Sequence, residues 1–151
     1  MEAIRSAVAV WHGDLDNGSG EVSSATSTHL KGLPVSWGSR TVDPQGRTSP
    51  EELLAAAHAS CFNMSLSGKL ATAGYTADRL ETRADVTFSK GEDGWRVSSS
   101  RLTVRGSVPG IDDAAFDELA AAAKEGCPIS VALRGNVDLS VDAALESRAP
   151  A

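Results

Sequence analysis

Ser49-Pro50-Glu51-Glu52-Leu53-Leu54-Ala55-Ala56-Ala57-His58-Ala59-Ser60-Cys61-Phe62 is the stretch on which the fold turns. Ser49 suits an N-cap, Pro50 suits the first helical position, and Glu51 and Glu52 fall in the first turn. The run from Leu53 to Leu70 holds no proline and many small residues. Leu54, Ala57, Cys61, Met64 and Gly68 recur at spacings of three and four, which predicts a helix with these residues on one face. Apolar residues cover much of its girth, so a long, central, largely buried helix is expected. Gly74 is placed to end it.

Outward from this helix the pattern changes period. Ser6 to Trp11, with Val8 and Val10 alternating, reads as a short strand. Gly13 to Gly20 is a turn, and a second short strand is expected around Glu21 to Ser27. Thr28 to Ser49 is read as irregular, broken by Pro34, Gly38, Pro44 and Gly46. An irregular segment of that length in a compact domain points to function. On the C-terminal side, Leu80, Thr82, Ala84, Val86 and Phe88 alternate with polar residues as a half-buried strand. Trp95 to Gly106 is its antiparallel partner, and Val97 falls out of phase, which predicts a bulge near Ser98 to Ser100. Asp112 or Asp113 caps a helix running to about Glu125, and Gly126 stops it. Pro128 opens a short helix through Leu133, and Val137, Leu139 and Val141 mark a last strand. A loose tail is expected after about Ala143. The sum is an α+β fold in one domain over residues 1–151.

Composition narrows the function. The 151 residues carry 20 Asp plus Glu against 14 Lys plus Arg, a net charge of -6, and no basic cluster, which argues against nucleic acid as a partner. Hydrophobic residues at 41% and charged residues at 23% describe a globular chain rather than a disordered one. No secretory signal and no run of 18 apolar residues are read, so a cytoplasmic location without a membrane partner is expected. Only 2 cysteines are present, too few for a disulfide scaffold, an all-thiolate zinc site or a cysteine-ligated iron–sulfur cluster. They suffice for one disulfide or a reactive pair.

Cys61 lies mid-helix, where a cysteine is most often a small apolar filler. Cys127 precedes Pro128 at a helix start, where free backbone N–H groups favour a thiolate, although tight packing accounts for it equally well. Glu51 is ordinary as a first-turn carboxylate, and Arg40 is ordinary as a solvated arginine. Together they have a sharper reading. Glu51 stands nearly three turns before Cys61, too far to touch it along the helix, but it can hold the fork of an arginine that leans over the thiol. His58 is three residues before Cys61, which admits a Cys–His hydrolase, but no Gly-rich nucleophile turn or oxyanion hole accompanies the pair. The bland reading of His58 is a satisfied core histidine.

The quoted helix resembles the signature helix of the OsmC/Ohr family of thiol-dependent hydroperoxide reductases. Gly126-Cys127-Pro128-Ile129-Ser130 resembles the family's second cysteine motif. Val108-Pro109-Gly110-Ile111-Asp112, His58, and Ala7 to Asp14 with Trp11 lean toward the OsmC branch. The resemblance implies an OsmC/Ohr-like α+β fold with an antiparallel sheet, a long buried central helix, and an intertwined homodimer with active sites at the subunit interface. It implies that Cys61 is peroxidatic and Cys127 resolving, with Glu51 and Arg40 completing the catalytic set; Arg47 competes with Arg40 for the arginine's place. It implies no metal or other cofactor. The expected substrates are organic hydroperoxides and hydrogen peroxide, and the expected reductant is an external dithiol such as a lipoylated protein. Trp37, Leu54, Phe62 and Met64 are candidates for a partly apolar substrate pocket, with Met64 favoured as core. Two alternatives stand beside the peroxidase: a small-ligand-binding or structural stress protein on the same scaffold, and the Cys–His thiol hydrolase.

Overall fold

The computed structural model describes residues 1–146. The chain divides into two compact units, Met1–Leu53 and Leu54–Ala151.

In the first unit β1 (Ala7–His12), β2 (Ser19–Ser24) and β3 (Leu33–Val35) form an antiparallel sheet in sequential order. Gly20 sits where a Cβ would lie 2.4 Å from the Val10 carbonyl oxygen, so no larger residue fits at that crossing. The stretch read as irregular is partly ordered. It holds β3 and a short helix α1 (Trp37–Thr41). A three-residue strand carrying Pro34 shows too little alternation to be read, and its edge position tolerates the proline. The α1 start is fixed locally. Ser36 Oγ accepts from the Ser39 N–H at 3.0 Å, and Ser39 Oγ accepts from the Ser36 N–H at 3.0 Å, a reciprocal cap built from two serines. The long helix α2 (Pro50–Thr72) begins as expected, with the Glu52 N–H donating to Ser49 Oγ at 3.1 Å.

In the second unit α2 continues to Thr72, and Gly74 at φ +88 supplies the left-handed exit, with the Tyr75 N–H donating to the Leu70 carbonyl at 2.9 Å. The buried stripe of α2 is His58, Phe62, Leu66 and Leu70, each 0% exposed. The expected face is displaced from it: Cys61 is half-buried, while Met64 is 75% exposed and Gly68 is exposed. Small and apolar residues surround this helix, so its pattern points in no strong direction. The large side chains decide, since each Phe or Leu stabilises by about 1.5–3 kcal/mol when fully buried, far more than an alanine. Within a single chain the helix is therefore buried along one stripe rather than around its girth.

The second sheet has the order β4-β5-β6, from β4 (Arg79–Gly91), β5 (Gly94–Ser107) and β6 (Asp138–Leu145). The expected bulge is present: Thr87 pairs with Ser99 and Phe88 with Val97, leaving Ser98 as the extra residue. β4 and β5 are antiparallel as expected, but β6 joins β5 in parallel, so this sheet is mixed. The helices α3 (Asp113–Gly126) and α4 (Pro128–Leu133) provide the crossover that a parallel neighbour requires. Asp112 caps α3 through the Ala115 N–H at 2.8 Å. β6 runs past Ala143 to Leu145; the rest of the tail expected to be loose, residues 147–151, lies outside the described residues.

Phe62, Leu66 and Leu70 meet Leu102, Val104, Phe116, Ala120 and Ala123 in one core, which also takes in Cys127. Asn63 ties α2 to β4 by accepting from the Thr82 hydroxyl at 2.6 Å, and Ser65 ties it to α3 by donating to the Ala123 carbonyl at 3.1 Å. Gly106 is where the core is tightest. A Cβ there would lie 2.5 Å from Phe116 Cζ and 3.2 Å from Leu80 Cδ2. Gly106→Ala should lower stability by about 1–3 kcal/mol through overpacking. The urea midpoint should fall without a change in m-value.

Candidate active site

Within the first unit, α1 delivers Arg40 and the first turn of α2 delivers Glu51. Arg40 Nε donates to Glu51 Oε2 at 3.1 Å and a terminal nitrogen donates to Oε1 at 2.7 Å, a two-pronged pairing. Glu51 is almost fully buried in this pairing, whereas the Arg40 side chain keeps 29% exposure. The guanidinium also lies 5.9 Å from the centroid of the Trp37 ring. Arg47, the competing arginine, is exposed in a turn closed by its own N–H on the Pro44 carbonyl at 2.9 Å. Glu51 thus holds Arg40. Trp11, Leu15, Val35, Trp37, Arg40 and Pro50 line a cleft of about 400 Å³, so an apolar wall stands beside the cation. Trp11, Leu15 and Val35 were not among the pocket residues expected from sequence; only the strand and turn positions of the folded unit bring them to Arg40.

Within the second unit, α2 delivers Cys61 and the junction of α3 and α4 delivers Cys127. Their sulfurs are 3.2 Å apart, and both thiols are free. That is about one ångström beyond a bonded pair. Cys127 is fully buried and Cys61 half-buried. The two settings act on the thiols oppositely. Burial pushes the Cys61 thiol above its ordinary value, the Ile129 N–H offsets this only in part, and the hydrogen bond and charge of Cys127 add to the rise. Burial also pushes Cys127 up, but the Ser130 N–H, the Cys61 thiol, the Ser130 hydroxyl and the Ile129 N–H outweigh it and bring the thiol below its ordinary value. Cys127 is the N-cap residue of α4, immediately before Pro128, as the helix-start reading expects.

His58 is buried, and both of its ring nitrogens are engaged away from the thiols. Nδ1 lies 2.7 Å from Ser100 Oγ and Nε2 lies 2.8 Å from Ser130 Oγ. The satisfied core histidine is what the structure contains. A Cys–His hydrolase needs a ring nitrogen on the sulfur, and both nitrogens face serine hydroxyls instead. Burial lowers the His58 pKa from the ordinary 6.5. The unfolded chain therefore binds the proton more readily than the fold does. The stability from neutral His58 is fully present above pH 6.5 and is lost as pH falls toward the lower folded value. In denaturation measured at pH 8, 6 and 5, the wild type should weaken more steeply than His58→Gln.

The other pocket candidates separate. Trp37 lines the Arg40 cleft, and Leu54 is half-buried. Phe62 is a fully buried core residue, so it packs the fold rather than walling a pocket. Met64, favoured as core, is instead exposed and borders a separate surface hollow with Asn63, Ser67 and Asp78. Ser100 and Ser130 were missed as site residues. Ser130, three residues beyond Cys127, carries a readable signal as the N3 position of the helix that Pro128 opens. Ser100, on β5, carries none. Among the described residues no group of three or more His, Cys, Asp or Glu is arranged to hold a metal ion, and no helix is long and apolar enough to cross a membrane.

Residues 43–142 match the family of OsmC-like proteins. Peroxiredoxin OsmC of Escherichia coli (strain K12) is 40% identical over 131 residues, covering 87% of this chain and 90% of that protein. Organic hydroperoxide resistance protein OhrB of Bacillus subtilis (strain 168) is 30% identical over 99 residues, covering 65% of this chain and 71% of its own. The crystal structure of Bacillus subtilis OhrB superposes with a TM-score of 0.73 at 28% identity, covering 92% of this chain and 98% of that one. The stronger identity lies on the OsmC side. The chain belongs to the OsmC/Ohr family of OsmC-like proteins.

Proposed function

We propose that this protein is a thiol-dependent peroxidase that reduces organic hydroperoxides and hydrogen peroxide in the cytoplasm. The observation that carries the reading is the 3.2 Å approach of Cys61 and Cys127 in a chain of this family. In the first step the Cys61 thiolate attacks one peroxide oxygen, the O–O bond breaks, and the leaving alkoxide or hydroxide takes a proton to become alcohol or water. Cys61 becomes a sulfenic acid. Cys127 sulfur then attacks the Cys61 sulfur, water leaves, and a disulfide forms. An external dithiol, such as a lipoylated protein, reduces that disulfide by exchange.

Burial raises the Cys61 thiol, so its thiolate needs a cation. We assign that task to Arg40, with Glu51 fixing the guanidinium fork. The apolar cleft beside Arg40, with Trp37 on its wall, suits the organic part of a hydroperoxide. The reading includes a homodimer. Val8, Val10 and Trp11 of edge strand β1 are 56%, 44% and 42% exposed, apolar surface of the kind a second copy covers. Sedimentation of the purified protein should give twice the chain mass.

The test is direct. Reduced protein is mixed with one equivalent of cumene hydroperoxide, quenched by alkylation and digested. A peptide joining Cys61 to Cys127 is expected, with stoichiometric cumyl alcohol. Recovery of both cysteines alkylated, with peroxide intact, would reject the reading.

A further inference from the structure

The short helix α4 has little of its own to hold it in place. It has 6 residues, with Pro128 at its start and no side-chain hydrogen bond capping it. A helix of that length depends on tertiary contacts. Ser130 is its one fully buried residue, at 0% exposure. The Ser130 hydroxyl lies 2.8 Å from His58 Nε2 on α2, and His58 Nδ1 lies 2.7 Å from Ser100 Oγ on β5. A neutral imidazole donates through one nitrogen and accepts through the other, and each hydroxyl takes either role. All three groups are therefore satisfied in both tautomers. β5, the central strand of its sheet, fixes the ring, and the ring fixes Ser130.

The two sulfurs stand one turn away along both segments. Cys61 follows His58 by three residues, and Cys127 precedes Ser130 by three. α2 and the start of α4 thus meet at two rungs, His58–Ser130 at 2.8 Å and Cys61–Cys127 at 3.2 Å. The sulfur rung is weak while both cysteines are thiols, because S–H is a poor donor. In the proposed cycle it also changes at every turnover, to a disulfide of about 2.05 Å and back. Neither peroxide nor dithiol alters the His58–Ser130 rung. Backbone bonds carry its hold to Cys127. The Val131 N–H, next to Ser130, donates to the Cys127 carbonyl at 2.9 Å, and the Cys127 N–H donates to the Ala123 carbonyl at 2.8 Å.

We propose that His58 is a positioning residue for the resolving step: by binding Ser130 it pins the start of α4, and so keeps the Cys127 sulfur within closing distance of Cys61 throughout the cycle. The proposal rests on the peroxidase reading and deepens its second step. In that step the Cys127 sulfur bonds to the Cys61 sulfur, the Cys61 S–O bond breaks, and hydroxide leaves with the Cys127 proton as water. A second hydroperoxide competes for the same sulfenic acid. It gives one oxygen to the Cys61 sulfur, its O–O bond breaks, alcohol leaves, and Cys61 ends as a sulfinic acid. A sulfur held in place favours closure over that dead end.

The partition between the two products is the readout. Reduced protein is treated with excess cumene hydroperoxide and digested, and the Cys61–Cys127 disulfide and the Cys61 sulfinic acid are quantified by mass spectrometry. In Ser130→Ala the ratio of disulfide to sulfinic acid should fall about tenfold, short of the roughly hundredfold that an ångström of misplacement can cost. Two variants of His58 separate positioning from filling. A glutamine amide reaches the place of Nε2 and keeps the Ser130 bond, whereas an asparagine amide reaches only the place of Nδ1 and keeps the Ser100 bond. His58→Gln should hold the ratio near that of the wild type, and His58→Asn should fall with Ser130→Ala. A histidine that merely fills space would give both variants the same ratio. Should either His58 variant fail to fold, Ser130→Ala decides the matter. An unchanged ratio in Ser130→Ala, or an equal fall in His58→Gln and His58→Asn, overturns the positioning role while the peroxidase reading stands. Absence of any Cys61 oxidation in the wild type overturns the peroxidase reading and the positioning role with it.

Discussion

Cys61→Ser should consume cumene hydroperoxide at the rate of buffer alone, a loss of about a thousandfold or more in turnover with dithiol reductant. Serine is close in size, so the core should accept it, but its hydroxyl is a weak nucleophile at neutral pH and cannot form a sulfenic acid. Cys127→Ser should behave differently. It retains the attacking sulfur and loses only the partner 3.2 Å away, so one equivalent of peroxide should still be reduced. The product should then persist as sulfenic acid, or as a mixed disulfide when thiol is supplied. Consumption assays with intact-mass measurement distinguish these outcomes. Unchanged turnover in Cys61→Ser would end the assignment of that residue as peroxidatic.

Arg40→Ala should lower both activity and stability, and for separate reasons. Removing the guanidinium leaves the Glu51 carboxylate, 8% exposed, without its two-pronged partner. An uncompensated buried charge costs about 3 kcal/mol or more. In the proposed reaction the same substitution removes the cation that favours the Cys61 thiolate, and the peroxide rate should drop by about a hundredfold. Arg40→Lys keeps the charge but loses the planar fork. It should recover part of the stability and little of the rate. Glu51→Gln probes the other side, since it keeps the volume and leaves the arginine charged but loosely held. Thermal denaturation and the second-order peroxide rate check these expectations, and equal rates in wild type and Arg40→Ala would remove Arg40 from the mechanism.

Much of the fold is visible in local sequence because local physics sets it. Ser49 and Pro50 start α2, Asp112 caps α3, and Pro128 opens α4, since capping involves atoms within a few residues of each other. The extra residue at Ser98 is readable from one valine out of phase. The face of α2 is not, because small apolar residues surround it and its direction is decided by which large side chains find partners. The parallel placement of β6 is likewise invisible, since Leu139 and Val141 alternate identically in either direction. β3 and α1 are too short to carry a period.

The site divides along the same line. Sequence by itself determined the chemical types: two thiols, one in the long helix and one at a helix start, a first-turn carboxylate, and arginines upstream of it. It left Arg40 and Arg47 as rivals, and it left the thiols sixty-six positions apart. Tertiary structure decided that Glu51 holds Arg40, that the two sulfurs meet, and that His58 turns to serines rather than to Cys61. The reason is range. Propensity and capping act over one turn of helix, whereas a 3.2 Å sulfur contact and a histidine between Ser100 and Ser130 require elements brought together only when the core closes.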